Sequence, residues 1–379
     1  AAIPMFIIAI FGREMISKLD LFKKHANLFR KILGAIIILS VAYMIYSEKN
    51  SGIANAETNR QQITQTLQDG LWRPYQAPEI AGIDAWINSN PLSINELKSK
   101  VVLIDFWTYS CINCMRTLPY LNDWYNKYHD KGLVIIGVHS PEFDFEKNLD
   151  NVENAVKNDG IKYPVALDNH FSTWRNYNNR YWPAHYLIDK NGYVVYTHFG
   201  EGDYKITENN IRYLLGVNDI PEKKLVEAQD ISFNQTPETY FGYARSEYFA
   251  NPSSDGNNQS VHYTFPPNLK LHYWALQGEW KILSDRIIST QDNASLKIHF
   301  HAQNVYVVMG SAYGNDINVT VLLNGKPLSE NQGANIKNSS MTVNRHSLYH
   351  LIAFKAPNDG TLEITAATKG LEVYTFTFG

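Results

Sequence analysis

Two apolar runs in the first half of the chain have the length of β-strands. They are "VVLIDFW" (101–107) and "LVIIGVH" (133–139), and each is almost continuous, which is typical of central strands covered on both faces. Between them, apolar residues recur every three or four positions from Ile112 to Tyr128. That period predicts a helix with one buried face.

The same alternation of strands and helices continues downstream. Helices are predicted at 144–159 and 170–178. "AHYLID", the turn "KNG" and "YVVYTHFG" then predict a β-hairpin. The segment "TENNIRYLLG" predicts a closing helix that stops at Gly216. We therefore expect an α/β domain built on a mixed sheet.

From about residue 226 the pattern changes to short segments in which apolar and polar residues alternate. Turn signals separate them, such as Asn324-Gly325 and the "NDG" at 358–360. This pattern predicts an all-β sandwich, jelly-roll-like in its succession of strands. The predicted strands are "LKIHFHA", "NVYVVMG", "INVTVLL", "LYHLIAF", "TLEITAA" and "LEVYTFTFG".

Two further apolar runs lie near the start of the chain. Residues 1–11, "AAIPMFIIAIF", are expected to be the truncated end of a transmembrane helix, which would make this chain a fragment of a longer protein. Residues 31–47 are Ile-rich and uncharged through most of their length, and they predict an intact transmembrane helix. A buried core helix is the alternative, because the run is short. Residues 48–77 are polar and weakly patterned, as expected of a linker.

The loop at 12–30 between these runs is rich in Lys and Arg. Short basic loops stay in the cytoplasm, so everything after the helix at 31–47 is expected outside the cytoplasm, in the periplasm or the extracellular space. The formal net charge of the whole chain is -3, and no basic block lies beside aromatics after residue 47. No nucleic-acid partner is predicted.

The chain has two cysteines, Cys111 and Cys114, separated by two residues. The spacing places both on the first turn of the predicted helix. Unpaired backbone N–H groups there stabilise a thiolate, so we expect Cys111 to be the nucleophile and Cys114 the resolving thiol. A structural zinc site would need two unpatterned histidines as further ligands, and a passive disulfide would close too small a loop to stabilise the fold. A redox couple is the favoured interpretation.

Two other residues fit this chemistry. Asp105 is a carboxylate inside an apolar strand, six positions before Cys111, and it could accept the proton of Cys114. A strand-end Asp in water is the alternative. Pro183 precedes a predicted central strand, where a proline cannot donate to the ladder, so we expect a cis Trp182–Pro183 bond in a tight turn. The alternative is a trans proline in a loop.

Together these residues resemble the thioredoxin fold. "IDFWTYSCINCMRTLPYL" has the Asp, the Trp, both cysteines and the helix proline in thioredoxin order, and Trp-Pro stands at the cis-proline place. "VIIGVHSPEFDFEK", "YPVALDN", "GEGDYKITENNIRYLL" and "TPETYFGYARSE" extend the resemblance to the DipZ-type thiol:disulfide interchange proteins. The resemblance implies a thioredoxin-like redoxin domain at 78–218 and a carbohydrate-binding-module-like β domain at 226–379. It also implies a CcdA-like membrane domain as electron donor.

Three departures from these relatives limit the comparison. The cysteines that a CcdA-like domain needs are absent from this sequence. Ile112 and Asn113 stand between the two cysteines where thioredoxin has Gly-Pro, so the reduction potential is not transferable. Thr117 stands where TlpA-like relatives in cytochrome c maturation carry a Glu.

We therefore predict a membrane-tethered thiol:disulfide oxidoreductase whose only redox group is the Cys111–Cys114 disulfide, with no metal. Its substrates would be oxidised exported proteins or small disulfides. Further candidate residues are Trp107, Ile112, Asn113 and Trp182 for the substrate groove, with Glu142 and Thr108 as additional candidates. A solvated loop acid is the favoured alternative for Glu142.

Two other functions stay open. The Thr108-x-x-Cys111 spacing matches part of a peroxiredoxin motif, although the proline of that motif is replaced by Ile104. The β domain could instead bind a glycan by stacking on Trp274, Trp280 or Tyr313, if these are not core or loop aromatics. The sequence places His299 and His301 on one solvated strand face, where metal binding is not expected.

Overall fold

The structure is a computed structural model and describes residues 67–217, 235–251 and 256–379. The two segments predicted to be membrane helices, 1–11 and 31–47, lie outside the described residues. Within the described ranges, no helix is both long enough and apolar enough to cross a membrane.

The first domain is built on a mixed sheet with the strand order β1-β7-β6-β3-β4-β5-β2. The strands β3 and β4 pair in parallel, as do β4 and β5, while β6 and β7 form the predicted antiparallel hairpin and β6 lies beside β3. The strands are β1 (Tyr75–Gln76), β2 (Trp86–Ile87), β3 (Val101–Trp107), β4 (Leu133–His139), β5 (Val165–Leu167), β6 (Ala184–Ile188) and β7 (Tyr193–Phe199).

The apolar runs that predicted β3 and β4 form the centre of this sheet. Every residue of β3 is buried, because helices cover one face and the segments from the N-terminal side cover the other. The sheet begins at β1, inside the segment predicted to be linker, since Tyr75 pairs with Val194. The sheet of the first domain thus starts before residue 78.

Four helices accompany the sheet in the described part of this domain. The predicted helix at 144–159 is wrong in its first turn, where residues 144–147 form a 3-10 turn and the α-helix starts only after Asn148. The Asn148 side chain caps that helix by accepting a hydrogen bond from the Asn151 N–H, at 3.2 Å. The helices are α1 (Ile112–Tyr128), α2 (Leu149–Asn158), α3 (Ser172–Asn176) and α4 (Tyr204–Leu215).

The second domain is all-β, as predicted, but two of its strands are much longer than expected. Four of the predicted short segments merge in pairs into strands of 18 and 20 residues, and the predicted turn at 358–360 lies inside the second of these. Irregular pairing between Ala302 and Asn304 bends the long strands instead of ending them. The predicted turn at Asn324-Gly325 is present, with positive φ at both residues.

The long strand β12 joins the two halves of the β domain. It pairs with β10 near its start, with β17 near its end and with β16 throughout. The strands of the described part of this domain are β8 (Thr239–Tyr240), β9 (Ser260–Tyr263), β10 (Trp274–Ile282), β11 (Ile287–Ser289), β12 (Ala294–Ser311), β13 (Ile317–Leu323), β14 (Lys326–Pro327), β15 (Ser340–Val343), β16 (Ser347–Ala366) and β17 (Leu371–Phe378).

The three aromatic residues considered for glycan stacking differ in their exposure to solvent. Trp274 and Trp280 are fully buried in the core of the β domain, in agreement with the alternative that they are core aromatics, and they offer no platform for a sugar. Tyr313 is exposed. His299 and His301 alternate with buried residues as predicted and are bonded to the Leu269 carbonyl and to Asp359.

The two domains make contact through a small apolar cluster. Phe143, which follows β4, packs with Val308 and Tyr374 of the β domain. The described residues from Leu67 onward form one compact unit. The segment after β4 therefore contacts the β domain while it remains part of the first domain.

Candidate active site

The two cysteines lie at the start of α1, as the sequence predicted. Cys111 is the N-cap residue, and its Sγ accepts a hydrogen bond from the Cys114 N–H at 3.3 Å. Strand β3 ends at Trp107 and α1 begins at Ile112, and residues 108–111 between them are called the motif loop. The sheet positions this loop, and the loop places Cys111 at the helix terminus. The partial positive charge of that terminus favours a negative sulfur at Cys111.

The two thiols differ sharply in exposure. Cys111 is half-buried, whereas Cys114 is 1% exposed. Burial raises the pKa of Cys114 well above its ordinary value, and the hydrogen bond to Cys111 and the charge of Asp105 raise it further. Cys114 therefore holds its proton while Cys111 is available to a substrate.

Asp105 is buried in β3, and its neighbour on β6 is a histidine that the sequence analysis did not single out. His185 is the ladder partner of Asp105, and its Nε2 lies 3.3 Å from Oδ1 of Asp105. Both side chains are 1% exposed. The sequence does show a histidine inside the predicted strand "AHYLID". Only the register between β3 and β6 reveals that this histidine lies opposite Asp105.

The Trp182–Pro183 peptide bond is cis, as predicted. Phe106 pairs with Ala184, so Pro183 lies beside the end of β3, where the motif loop begins. The Pro183 carbonyl accepts a hydrogen bond from the Gly200 N–H at 2.8 Å. The indole of Trp182 donates to the Ser140 carbonyl at 3.0 Å, which ties this turn to the segment after β4.

The predicted groove residues separate into two groups. Trp107 is fully buried and Ile112 is 7% exposed, so burial gives no support to the prediction that these two side chains line the groove. The indole of Trp107 fits against the sheet because Gly137 has no side chain: a Cβ there would lie 2.9 Å from Nε1. Asn113 and Trp182 are partly exposed.

Thr108 is buried and faces the interior. Its Oγ1 lies 3.3 Å from Nε2 of His139, whose pKa burial lowers to about 3. A peroxiredoxin-type role would need the Thr108 hydroxyl at the substrate side of Cys111. Its placement does not favour that alternative.

Two of the acidic residues after β4, Glu142 and Glu146, are hydrogen-bonded to distant parts of the chain, and Glu146 was not anticipated. Glu142 accepts hydrogen bonds from Tyr240 and Arg245 of the β domain, both at 2.8 Å, so the alternative of a solvated loop acid is wrong. Glu146 is fully buried and accepts from the Ser110 hydroxyl at 2.6 Å. Nothing in the local pattern of "PEFDFEK" distinguishes Glu146 from a surface residue.

Comparisons with known proteins agree with this architecture. Residues 75–215 match the family described as Redoxin, and residues 236–379 match the family described as Thioredoxin like C-terminal domain. Protein DipZ of Mycobacterium tuberculosis is 33% identical over the whole of this chain, which spans 58% of that protein's length. The predicted resemblance to DipZ is thereby confirmed.

Two further similarities concern the first domain. The thiol-disulfide oxidoreductase ResA of Bacillus anthracis is 31% identical, and the match covers 47% of this chain and 91% of ResA. The solved thioredoxin domain of a thiol-disulfide oxidoreductase from Bacteroides vulgatus is 29% identical, with a TM-score of 0.31, and covers 36% of this chain and 94% of that domain.

Proposed function

Since the chain belongs to the redoxin-domain thiol-disulfide oxidoreductases, the family that includes ResA, we propose that Cys111 and Cys114 form a dithiol couple that reduces disulfides in exported partners. The observation that carries the proposal is the asymmetry of the pair. Cys111 is half-buried at the N-cap of α1, and Cys114 is buried directly beneath it. A reductant of this kind needs one accessible sulfur and one protected sulfur that closes the cycle.

The first step is attack by the Cys111 thiolate on one sulfur of a substrate disulfide. The substrate S–S bond breaks, a mixed disulfide forms through Cys111, and the first substrate thiolate leaves and takes a proton from solvent. The N–H of Cys114 and the helix terminus stabilise the Cys111 thiolate before the attack.

The second step uses the buried residues. Cys114 gives its proton to Asp105, and the resulting thiolate attacks Sγ of Cys111. The bond between Cys111 and the substrate breaks, and the second substrate thiolate leaves and takes a proton from solvent. The protein ends with a Cys111–Cys114 disulfide, and two electrons have moved to the substrate. Asp105 suits this role because its charge acts on the Cys114 thiol and because its side chain is buried in β3.

The cycle needs a source of electrons to reduce the new disulfide. We propose that a CcdA-like membrane domain supplies them and that the chain is tethered to the membrane with both described domains outside the cytoplasm. The basic loop at 12–30, the apolar run at 31–47 and the similarity to DipZ support this part of the proposal. No glycan function is proposed, because the two tryptophans considered for it lie in the core.

Trapping of substrates tests the proposal. A Cys114→Ser chain should accumulate mixed disulfides through Cys111 when it meets oxidised partners, and the wild-type chain should reduce insulin disulfides. Cys111→Ser is the matched control and should trap nothing. Failure of the Cys114→Ser chain to form mixed disulfides, together with no insulin reduction by the wild type, would refute the proposal.

A further inference from the structure

Residues 140–147, which we call the interdomain loop, follow β4 and carry the buried Glu146. One oxygen of Glu146, Oε1, accepts the Ser110 hydroxyl at 2.6 Å. The other, Oε2, accepts the N–H groups of Glu142 at 2.6 Å and Phe143 at 3.0 Å. Ser110 is the residue immediately before Cys111. The carboxylate therefore ties the interdomain loop to the motif loop with hydrogen bonds at both of its oxygens.

The opposite side of the interdomain loop is held by the β domain. Both Tyr240 and Arg245 donate to Oε1 of Glu142, at 2.8 Å, and the Arg245 guanidinium lies 3.7 Å from the centre of the Tyr240 ring. The Glu142 side chain is only 10% exposed, so this ion pair is shielded from solvent on the Glu side. Charge-assisted hydrogen bonds in such a position hold a loop more firmly than neutral ones.

Aromatic contacts reinforce the same attachment. The ring of Phe143 lies 5.0 Å from that of Tyr374, and the ring of Phe145 lies 4.9 Å from both Tyr374 and His346. At the near end of the loop, the Ser140 carbonyl accepts the Trp182 indole. One eight-residue segment thus contacts the motif loop, the cis-proline turn and the β domain.

The charge of Glu146 depends on its surroundings. Burial raises its pKa to about 7, while hydrogen bonds from Ser110, Thr108 and Phe143 lower it and the charge of Glu142 raises it. The charge of Glu146 also acts on Tyr109 of the motif loop, which lies near Arg345 of the β domain, and Glu142 is paired in turn with Arg245. When Glu146 is ionised it accepts bonds from both loops, and when it is protonated one of those bonds is lost.

We propose that Glu146 is a positioning residue for the Cys111–Cys114 couple, and that the β domain holds it in place through the interdomain loop. This inference rests on the proposed function. On this inference the β domain contributes to the redox step without having to bind a ligand. The β domain fixes the loop, the loop fixes Glu146, and Glu146 fixes the backbone that presents Cys111.

The test measures the rate constant for insulin reduction by the full chain between pH 5.5 and 8.5. The wild type should show an inflection near pH 7 that is missing in Glu146→Gln. The variant should also be slower by about tenfold above that pH, the loss expected when one charge-assisted hydrogen bond is removed. Gln keeps the size of the side chain but has one acceptor oxygen in place of two and no charge. A purely structural role would lower the rate and leave the shape of the pH profile unchanged.

A second variant changes a residue of the β domain that holds the interdomain loop. Arg245→Ala should slow the reaction by about threefold, a fraction of the effect of removing Glu146 itself, and should move the inflection, because Glu142 loses its cation. Lys297→Ala is the matched control: it removes a cation paired with Glu363 inside the β domain, and it should behave as the wild type. If Glu146→Gln does not fold, as judged by its circular dichroism, Ser110→Ala removes the other partner of the same bond and should give the same loss of rate.

Two results would overturn the inference: a wild-type pH profile in Glu146→Gln, or equal behaviour of Arg245→Ala and Lys297→Ala. The activity of Cys111→Ser shows whether such a result refutes only the positioning role of Glu146 or the proposed function as well. An inactive Cys111→Ser with an unchanged Glu146→Gln refutes only the positioning role. An active Cys111→Ser refutes the proposed function as well.

Discussion

Oδ1 of Asp105 lies 3.3 Å from Nε2 of His185, and the two residues face each other across neighbouring strands with both side chains 1% exposed. Within the described residues, neither that oxygen nor either ring nitrogen of His185 has a partner with hydrogen-bond geometry. Buried polar atoms are rarely left in this state without a functional or hydration role. We therefore extend the proposed second step to this pair, with His185 as the polar neighbour of Asp105.

Replacement of Asp105 by Asn should slow the second step of the reaction. Asn keeps the shape of the side chain but accepts no proton, so resolution of the mixed disulfide should fall by about 10²-fold, the usual contribution of a positioned base. Stopped-flow mixing of the reduced chain with a peptide disulfide measures this step. The free energy of unfolding should not fall, because a buried charge is removed. Equal resolution rates in Asp105→Asn and the wild type would contradict the prediction.

Replacement of His185 by Phe should slow the same step by about tenfold, less than the loss of the base itself. The reason is that Asp105 would lose its polar neighbour on β6. The double variant with Asp105→Asn should be no slower than Asp105→Asn alone, because residues that act as one unit are non-additive. Multiplicative effects in the double variant would show that His185 acts independently. His198→Gln is the comparison on the next strand, where the histidine ring lies 6.1 Å from that of His185.

The parts of the fold that the sequence predicted correctly are those set by local patterns. Strands β3 and β4 are continuous apolar runs, and α1 has a regular apolar period, so each is determined by residues that are close in the chain. The cis bond before Pro183 could be predicted for the same reason, since a proline next to a central strand leaves few conformations. The long strands β12 and β16 were divided wrongly because polar residues such as Asn304 and Asp359 imitate a turn where the strand only bends.

The residues that the sequence analysis missed depend on pairings between distant segments. His185 faces Asp105 because β6 lies beside β3, and that register is not encoded in either strand alone. Glu142 meets Arg245, 103 positions further along the chain, only when the β domain docks on the first domain. Glu146 becomes buried only because the interdomain loop folds back on the motif. Burial and partners of this kind follow from tertiary structure and leave no local signature.

The difference in exposure between the two thiols predicts selective labelling. In the reduced folded chain, iodoacetamide should modify Cys111 and leave Cys114 at least about 100-fold less reactive, because the reagent needs an accessible thiolate. Burial both hides Cys114 and raises its pKa. Peptide mass spectrometry after timed quenching gives the two rates, and labelling in urea is the control that should make them similar. Equal rates in the folded chain would be evidence against the assigned roles.

Glu146 should make the stability of the protein fall as pH rises. Its pKa in the folded state is raised to about 7 from an ordinary value of about 4.3, so between these values the folded chain holds a proton that the unfolded chain has lost. The favourable contribution is therefore complete below about pH 4 and is lost as pH rises through 7. The total change is ~4 kcal/mol, since one pKa unit corresponds to about 1.4 kcal/mol.

Urea unfolding at pH 4.5, 5.5, 6.5 and 7.5 measures this contribution as a difference between chains. Glu146→Gln has no carboxyl to ionise, so its free energy of unfolding should rise relative to that of the wild type across this range. Glu153→Gln, which removes an exposed carboxylate from α2, is the matched control and should follow the wild type. Parallel curves for Glu146→Gln and the wild type would mean that Glu146 ionises equally in the folded and unfolded chains, and would contradict the prediction.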